Sequence, residues 1–131
     1  MEILLYLQEI LELTNFRRNK IGISSSFNSY KIYVTSSSSA DFNLTRKDRN
    51  GDVSGNDPVL SFNVGDQVTF IIDTTDFYLK TKPGIDTGNK IDVENNGMGN
   101  DSIVWTPSGV GTFYYQCVLH TEMVGKITIK N

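Results

Sequence analysis

Three side chains with metal-binding chemistry, Cys117, His120 and Met123, stand three residues apart near the end of this 131-residue chain. They lie in Gly111-Thr112-Phe113-Tyr114-Tyr115-Gln116-Cys117-Val118-Leu119-His120-Thr121-Glu122-Met123-Val124-Gly125. A thiolate and an imidazole are strong ligands for a soft metal and a thioether is a weak axial one, so a short loop between strands can present all three to one ion. This is the ligand spacing of a blue-copper centre. Such a centre also needs a second imidazole, and the chain contains a single histidine and a single cysteine.

The donors must be held by the runs on either side, and 112–118 and 126–130 both read as strands. Alternating apolar residues mark further strands: Tyr30, Ile32 and Val34; then Leu60, Phe62 and Val64; then Val68, Phe70 and Ile72. Shorter runs follow at 77–81 and 103–106. Gly65-Asp66, Pro83-Gly84, Asn95-Asn96-Gly97 and Pro107-Ser108-Gly109 punctuate them as turns. Short strands separated by turn residues predict a sandwich or barrel, with Phe62, Val68, Phe70, Trp105, Tyr114 and Ile127 in its core.

From Asn63-Val64-Gly65-Asp66-Gln67-Val68-Thr69-Phe70, through the Cys117 loop, to Lys126-Ile127-Thr128-Ile129, the chain resembles the cupredoxin superfamily of plastocyanin, azurin and amicyanin. The resemblance implies a mainly β, antiparallel Greek-key β-sandwich or barrel over 30–131, with Cys117, His120 and Met123 as copper ligands. In that superfamily the first histidine ligand follows the strand after the Val-Gly-Asp turn. Here the segment reads Asp73-Thr74-Thr75-Asp76-Phe77-Tyr78-Leu79-Lys80, so Thr75 stands at the ligand position. A threonine hydroxyl is a poor copper ligand, and the hard carboxylate of Asp76 suits a soft thiolate-copper centre badly.

Three readings of the trio follow. A copper site persists with a substitute or open fourth position, since thiolate, imidazole and thioether alone can hold Cu(I). Alternatively the trio is vestigial, Cys117 serving as a small buried hydrophobe, Met123 filling the core and His120 lying near the surface. In the third, an open Cys-His site takes adventitious zinc. The missing imidazole favours the vestigial reading, in which no cofactor is expected and copper is the alternative.

Ahead of the β domain, 1–21 reads as an amphipathic α-helix and 22–29 as a linker. Ile3, Leu4, Tyr6, Leu7, Ile10 and Leu11, with Leu13, gather on one half of the wheel, and Glu2, Gln8, Glu9, Glu12 and Asn15 fill the other. Leu5 and Phe16 break the pattern. Such a face packs on its own barrel, docks on a protein partner or second copy, or lies on a membrane surface, for which its polar side is unusually acidic. Partner docking is the reading adopted. It makes the chain a non-catalytic structural or assembly module. Asp48-Arg49-Asn50-Gly51, Ser54-Gly55-Asn56-Asp57-Pro58 and Thr112-Phe113-Tyr114-Tyr115-Gln116-Cys117 are similar to stretches of virus-encoded sequences, which implies a virion decoration or cement role. The alternative is a small copper-binding electron-transfer protein using Cys117, His120 and Met123.

Other classes find little support. A net charge of −3 and a pI near 5.0 argue against nucleic acid. The opening residues lack a basic n-region and a cleavage site, and their apolar run falls short of the ~20 residues of a membrane span. A virus particle is the one location suggested. One cysteine forms no intrachain disulfide. Without an orienting third group, a phosphate loop or a nucleophile elbow, no enzyme is expected. Residues 48–57 space oxygen donors as calcium loops do, but Val53 and Val59 occupy the glycine and bidentate glutamate positions, so a polar turn is expected. Asp86, Asp92, Glu94 and Asp101 read as a solvated loop face.

Overall fold

The computed structural model describes residues 28–131. The helix expected over 1–21, with its apolar face of Ile3, Leu4, Tyr6, Leu7, Ile10 and Leu11, lies outside the described residues, as does most of 22–29. Nine strands form within the described chain: β1 Ser29–Ser36, β2 Phe42–Asp48, β3 Gly51–Val53, β4 Leu60–Asn63, β5 Gln67–Ile72, β6 Phe77–Lys80, β7 Ser102–Trp105, β8 Gly111–Cys117 and β9 Val124–Lys130. They make a five-stranded sheet in the order β3-β2-β1-β5-β7 and a four-stranded sheet in the order β4-β9-β8-β6.

Alternation explains the packing. Ile32 and Val34 of β1, Val68, Phe70 and Ile72 of β5 and Ile103 and Trp105 of β7 point inward from one sheet; Leu60, Phe62, Phe77, Leu79, Tyr115, Ile127 and Ile129 do so from the other. Aromatic rings bridge the layers: Phe42 and Phe77 lie edge-on at 5.0 Å, and Phe70 meets Phe77 at 5.6 Å. Of the expected core, Phe62, Val68, Phe70, Trp105 and Ile127 are buried. Tyr114 is only half-buried, and Tyr115 is the tyrosine fully inside. The reason is parity: Tyr115 shares the inward face with Cys117, two residues on.

The sheets are mixed, each holding one parallel pair among antiparallel ones: β1 runs parallel to β5, and β4 parallel to β9. Residues 42–53, which gave no strand signal, form β2 and β3. Arg46 interrupts the Phe42/Leu44 alternation there with a φ of 97°, and the residues on both sides of it are exposed. With Thr45, Arg46 and Lys47 all polar and exposed, the period of two on which strand recognition depends is lost.

The oxygens of 48–57 are engaged as a turn engages them. Asp48 accepts the Asn50 and Ser61 N–H groups at 2.8 Å each, Asp57 accepts the Phe42 N–H at 2.9 Å, and Asp52 pairs outward with Lys47 at 2.6 Å. Residues 81–101 cover the outer face of β6. Asn96 clips this loop down, accepting the Leu79 N–H at 2.8 Å and donating to the carbonyls of Leu79 and Ile91 at 2.9 and 2.8 Å. Gly97 lies beneath the Tyr78 ring with φ of 91°, leaving no space for a side chain.

Candidate metal centre

β8 ends at Cys117 and β9 starts at Val124, so residues 118–123 form a tight connection at one end of the sandwich. Its backbone closes on itself: the Cys117 N–H donates to the Met123 carbonyl at 2.9 Å, and the Met123 N–H to the His120 carbonyl at 3.1 Å. Just beyond, Gly125 sits opposite Tyr115 in the ladder, where the Tyr115 ring occupies the place of a Cβ. That glycine lets the loop close onto the core.

Cys117 and Met123 are each 3% exposed, and His120 is half-buried. The Cys117 Sγ lies 3.5 Å from the His120 Nδ1. A shallow depression brings Cys117, His120 and Met123 together with Thr74, Thr75 and Asp76. Thr75 therefore faces the same hollow as the three donors, as the resemblance implies for the missing fourth ligand.

The 73–76 loop is firmly placed. The Asp73 N–H donates to Val34 O at 2.8 Å, the hydroxyls of Thr74 and Ser36 are 2.6 Å apart, and the Asn100 N–H donates to Thr74 O at 3.1 Å. Asp76 adopts a φ of 62°, which turns the chain into β6.

The 3.5 Å separation provides a test of fit. Bonds of about 2.3 Å to sulfur and about 2.0 Å to nitrogen at a tetrahedral angle put the two donors roughly 3.5 Å apart. The Cys117–His120 distance matches that spacing and is equally that of a thiol–imidazole hydrogen bond, with Met123 lining the same hollow. This donor set fits a soft ion. It does not fit a blue-copper centre, whose second imidazole this chain lacks, because Thr75 and Asp76 offer only hard oxygens.

The strands around this loop, their mixed two-sheet order and the position of the Cys-His-Met loop define a cupredoxin fold. The solved structures it is similar to include rusticyanin from Thiobacillus ferrooxidans, at 20% identity and a TM-score of 0.52, covering 95% of this chain and 94% of that one. A second, substituted rusticyanin aligns at 21% identity and a TM-score of 0.51 over 95% and 94% of the two chains. At these identities the likeness establishes the fold. No family model matches the chain, and no curated protein does so either.

Sequence reasoning missed two fully buried polar residues, Gln116 beside the loop and Lys80 farther along β6. Each occupies an outward position of its strand, where alternation predicts solvent. Loop 81–101, which covers them, carries no periodic signal.

Proposed function

We propose that this chain is a non-catalytic, cupredoxin-fold metal-binding module. In it Cys117, His120 and Met123 hold one soft monovalent ion, Cu(I), without the second imidazole that blue-copper electron transfer requires. The observation that carries this reading is the 3.5 Å approach of the Cys117 Sγ to the His120 Nδ1, at the spacing of two donors sharing one ion. A buried thioether in the same hollow adds softness, which selects Cu(I) over Cu(II) and over hard cations. The cupredoxin fold, in which this loop commonly carries copper, supports the same conclusion by analogy.

Anaerobic competition against a coloured Cu(I) chelator tests it. The full chain should withdraw a stoichiometric amount of Cu(I), and Cys117→Ser should withdraw almost none. Equal uptake by the two proteins, or none by either, would refute the site. The assembly role expected of 1–21, including its virion form, is separate from this chemistry. Leu7→Asp should abolish association through that segment, because an unpaired carboxylate is costly in an apolar contact, and should leave Cu(I) uptake unchanged.

A further inference from the structure

Gln116 immediately precedes Cys117 on β8 and faces away from the core, yet it is fully buried. Both ends of its carboxamide are engaged. The Oε1 accepts the Gly84 N–H at 3.1 Å, while the Nε2 donates to the Cys117 carbonyl at 2.8 Å and to the His120 carbonyl at 3.1 Å. The carbonyls of Thr121 and Met123 lie a little farther off, at 3.4 and 3.5 Å. One amide thus gathers the backbone of the whole Cys-to-Met loop around its nitrogen.

The other side of this contact is also fixed. The buried Lys80 Nζ donates to the carbonyls of Gly84 and Asp86 at 2.9 and 2.6 Å, and reaches the Asp86 carboxylate at 3.4 Å. Pairing of the Thr81 N–H with Asn89 O and of the Ile91 N–H with Leu79 O ties the same loop along β6. A continuous polar path therefore runs from Lys80 on β6, through Gly84, to Gln116 and on to Cys117 and His120. Lys80, Gln116 and Cys117 are buried and Gly84 and His120 half-buried, so breaking the path removes a donor that little solvent can replace.

We infer that Gln116 is a positioning residue for the metal loop. It sets the backbone of Cys117 and His120 so that the Sγ and Nδ1 converge before an ion arrives. This inference rests on the metal-binding reading above. Only an amide of this length serves both sides: it offers an acceptor to Gly84 and donors to a cluster of carbonyls. Glutamate keeps the acceptor and loses the donors, and methionine keeps the length and loses both.

Gln116→Met and Gln116→Glu in the full chain separate these roles. Both should retain β-type circular dichroism and bind Cu(I) about 10- to 100-fold more weakly, the usual effect of removing a group that orients ligands. In the metal-free proteins the Met123 amide should exchange with solvent faster, while the Ile127 and Ile129 amides on β9 stay protected. The Gly84 amide should keep its protection in Gln116→Glu alone. Unchanged Cu(I) affinity together with unchanged exchange at Met123 would overturn the inference, as would loss of protection spread evenly over β8 and β9. If the wild-type chain takes up no Cu(I), the metal reading falls by itself, and the exchange of the Met123 amide in metal-free protein still decides the role of Gln116.

Discussion

The two ends of the sandwich are built on opposite principles. At the end where β4 turns into β5, the fully buried Asp66 is saturated with partners: the Arg49 guanidinium grips it at 2.9 and 2.8 Å, and the N–H groups of Asn63 and Asn28 donate at 2.8 and 3.1 Å. Burial works against its charge. Arg49 and the backbone donors outweigh that penalty and hold the carboxyl below its usual range. At the other end, the Cys117 Sγ and His120 Nδ1 have each other at 3.5 Å and an open hollow before them. A locked end gives the fold its stability, and an end with donors left toward a hollow can take a ligand.

This contrast is open to attack by mutation. Asp66→Ala removes the buried partner of Arg49 and the acceptor of two backbone N–H groups, and should cost about 3 to 5 kcal/mol in chemical denaturation. It should leave the Cu(I) affinity of the folded protein near wild type. Cys117→Ser should behave in the opposite way, abolishing Cu(I) uptake while costing less than about 1.5 kcal/mol, since it swaps one small buried side chain for another. A variant that unfolds without the thiol would show that metal holds the native state together.

Thr75→His places an imidazole on the hollow that Cys117, His120 and Met123 share. Cu(II) titration of this variant should produce an intense visible thiolate-to-copper band, absent from the wild-type chain. If the variant gains neither colour nor affinity, Thr75 is not at the ligand position.

The smallest effect concerns Asp57, at the same end as the hollow. Burial, and then the neighbouring Asp41, raise its carboxyl to about 6 against the pull of the Phe42 N–H. The folded state therefore keeps a proton that the unfolded chain has lost above about pH 4. Between these values stability falls as pH rises, and the full cost persists above about pH 6. Asp57→Asn keeps an acceptor for Phe42 and should flatten this window. The gain at neutral pH should be under about 1 kcal/mol, because solvent screens a half-buried group. A pH dependence identical to wild type between 4 and 6 would reject the assignment.

What the sequence made legible follows from periodicity. β1, β4 and β5 alternate, and the inward residues Ile32, Val34, Leu60, Phe62, Val68, Phe70 and Ile72 were evident. Along 112–118 the run of Phe113, Tyr114 and Tyr115 carries little polarity contrast, so Tyr114 was expected inside where parity with Cys117 places Tyr115. The Cys-x-x-His-x-x-Met spacing marked the candidate loop directly, because all its donors come from one short segment. Gln116, Lys80 and Asn96 stayed hidden. Their burial is imposed by residues 81–101 folding across β6, a tertiary event without a local signature. The mixed sheets were equally out of reach, since parallel pairing of β1 with β5 depends on a crossing between layers and not on either strand's pattern.

The central claim, that three soft donors hold Cu(I) in a cupredoxin fold lacking a second imidazole, is most directly tested by X-ray absorption at the copper edge of the Cu(I)-loaded full chain. The account predicts a mixed sulfur and nitrogen shell whose short sulfur contact disappears in Cys117→Ser. A shell of nitrogen and oxygen alone, unaffected by that substitution, would contradict it.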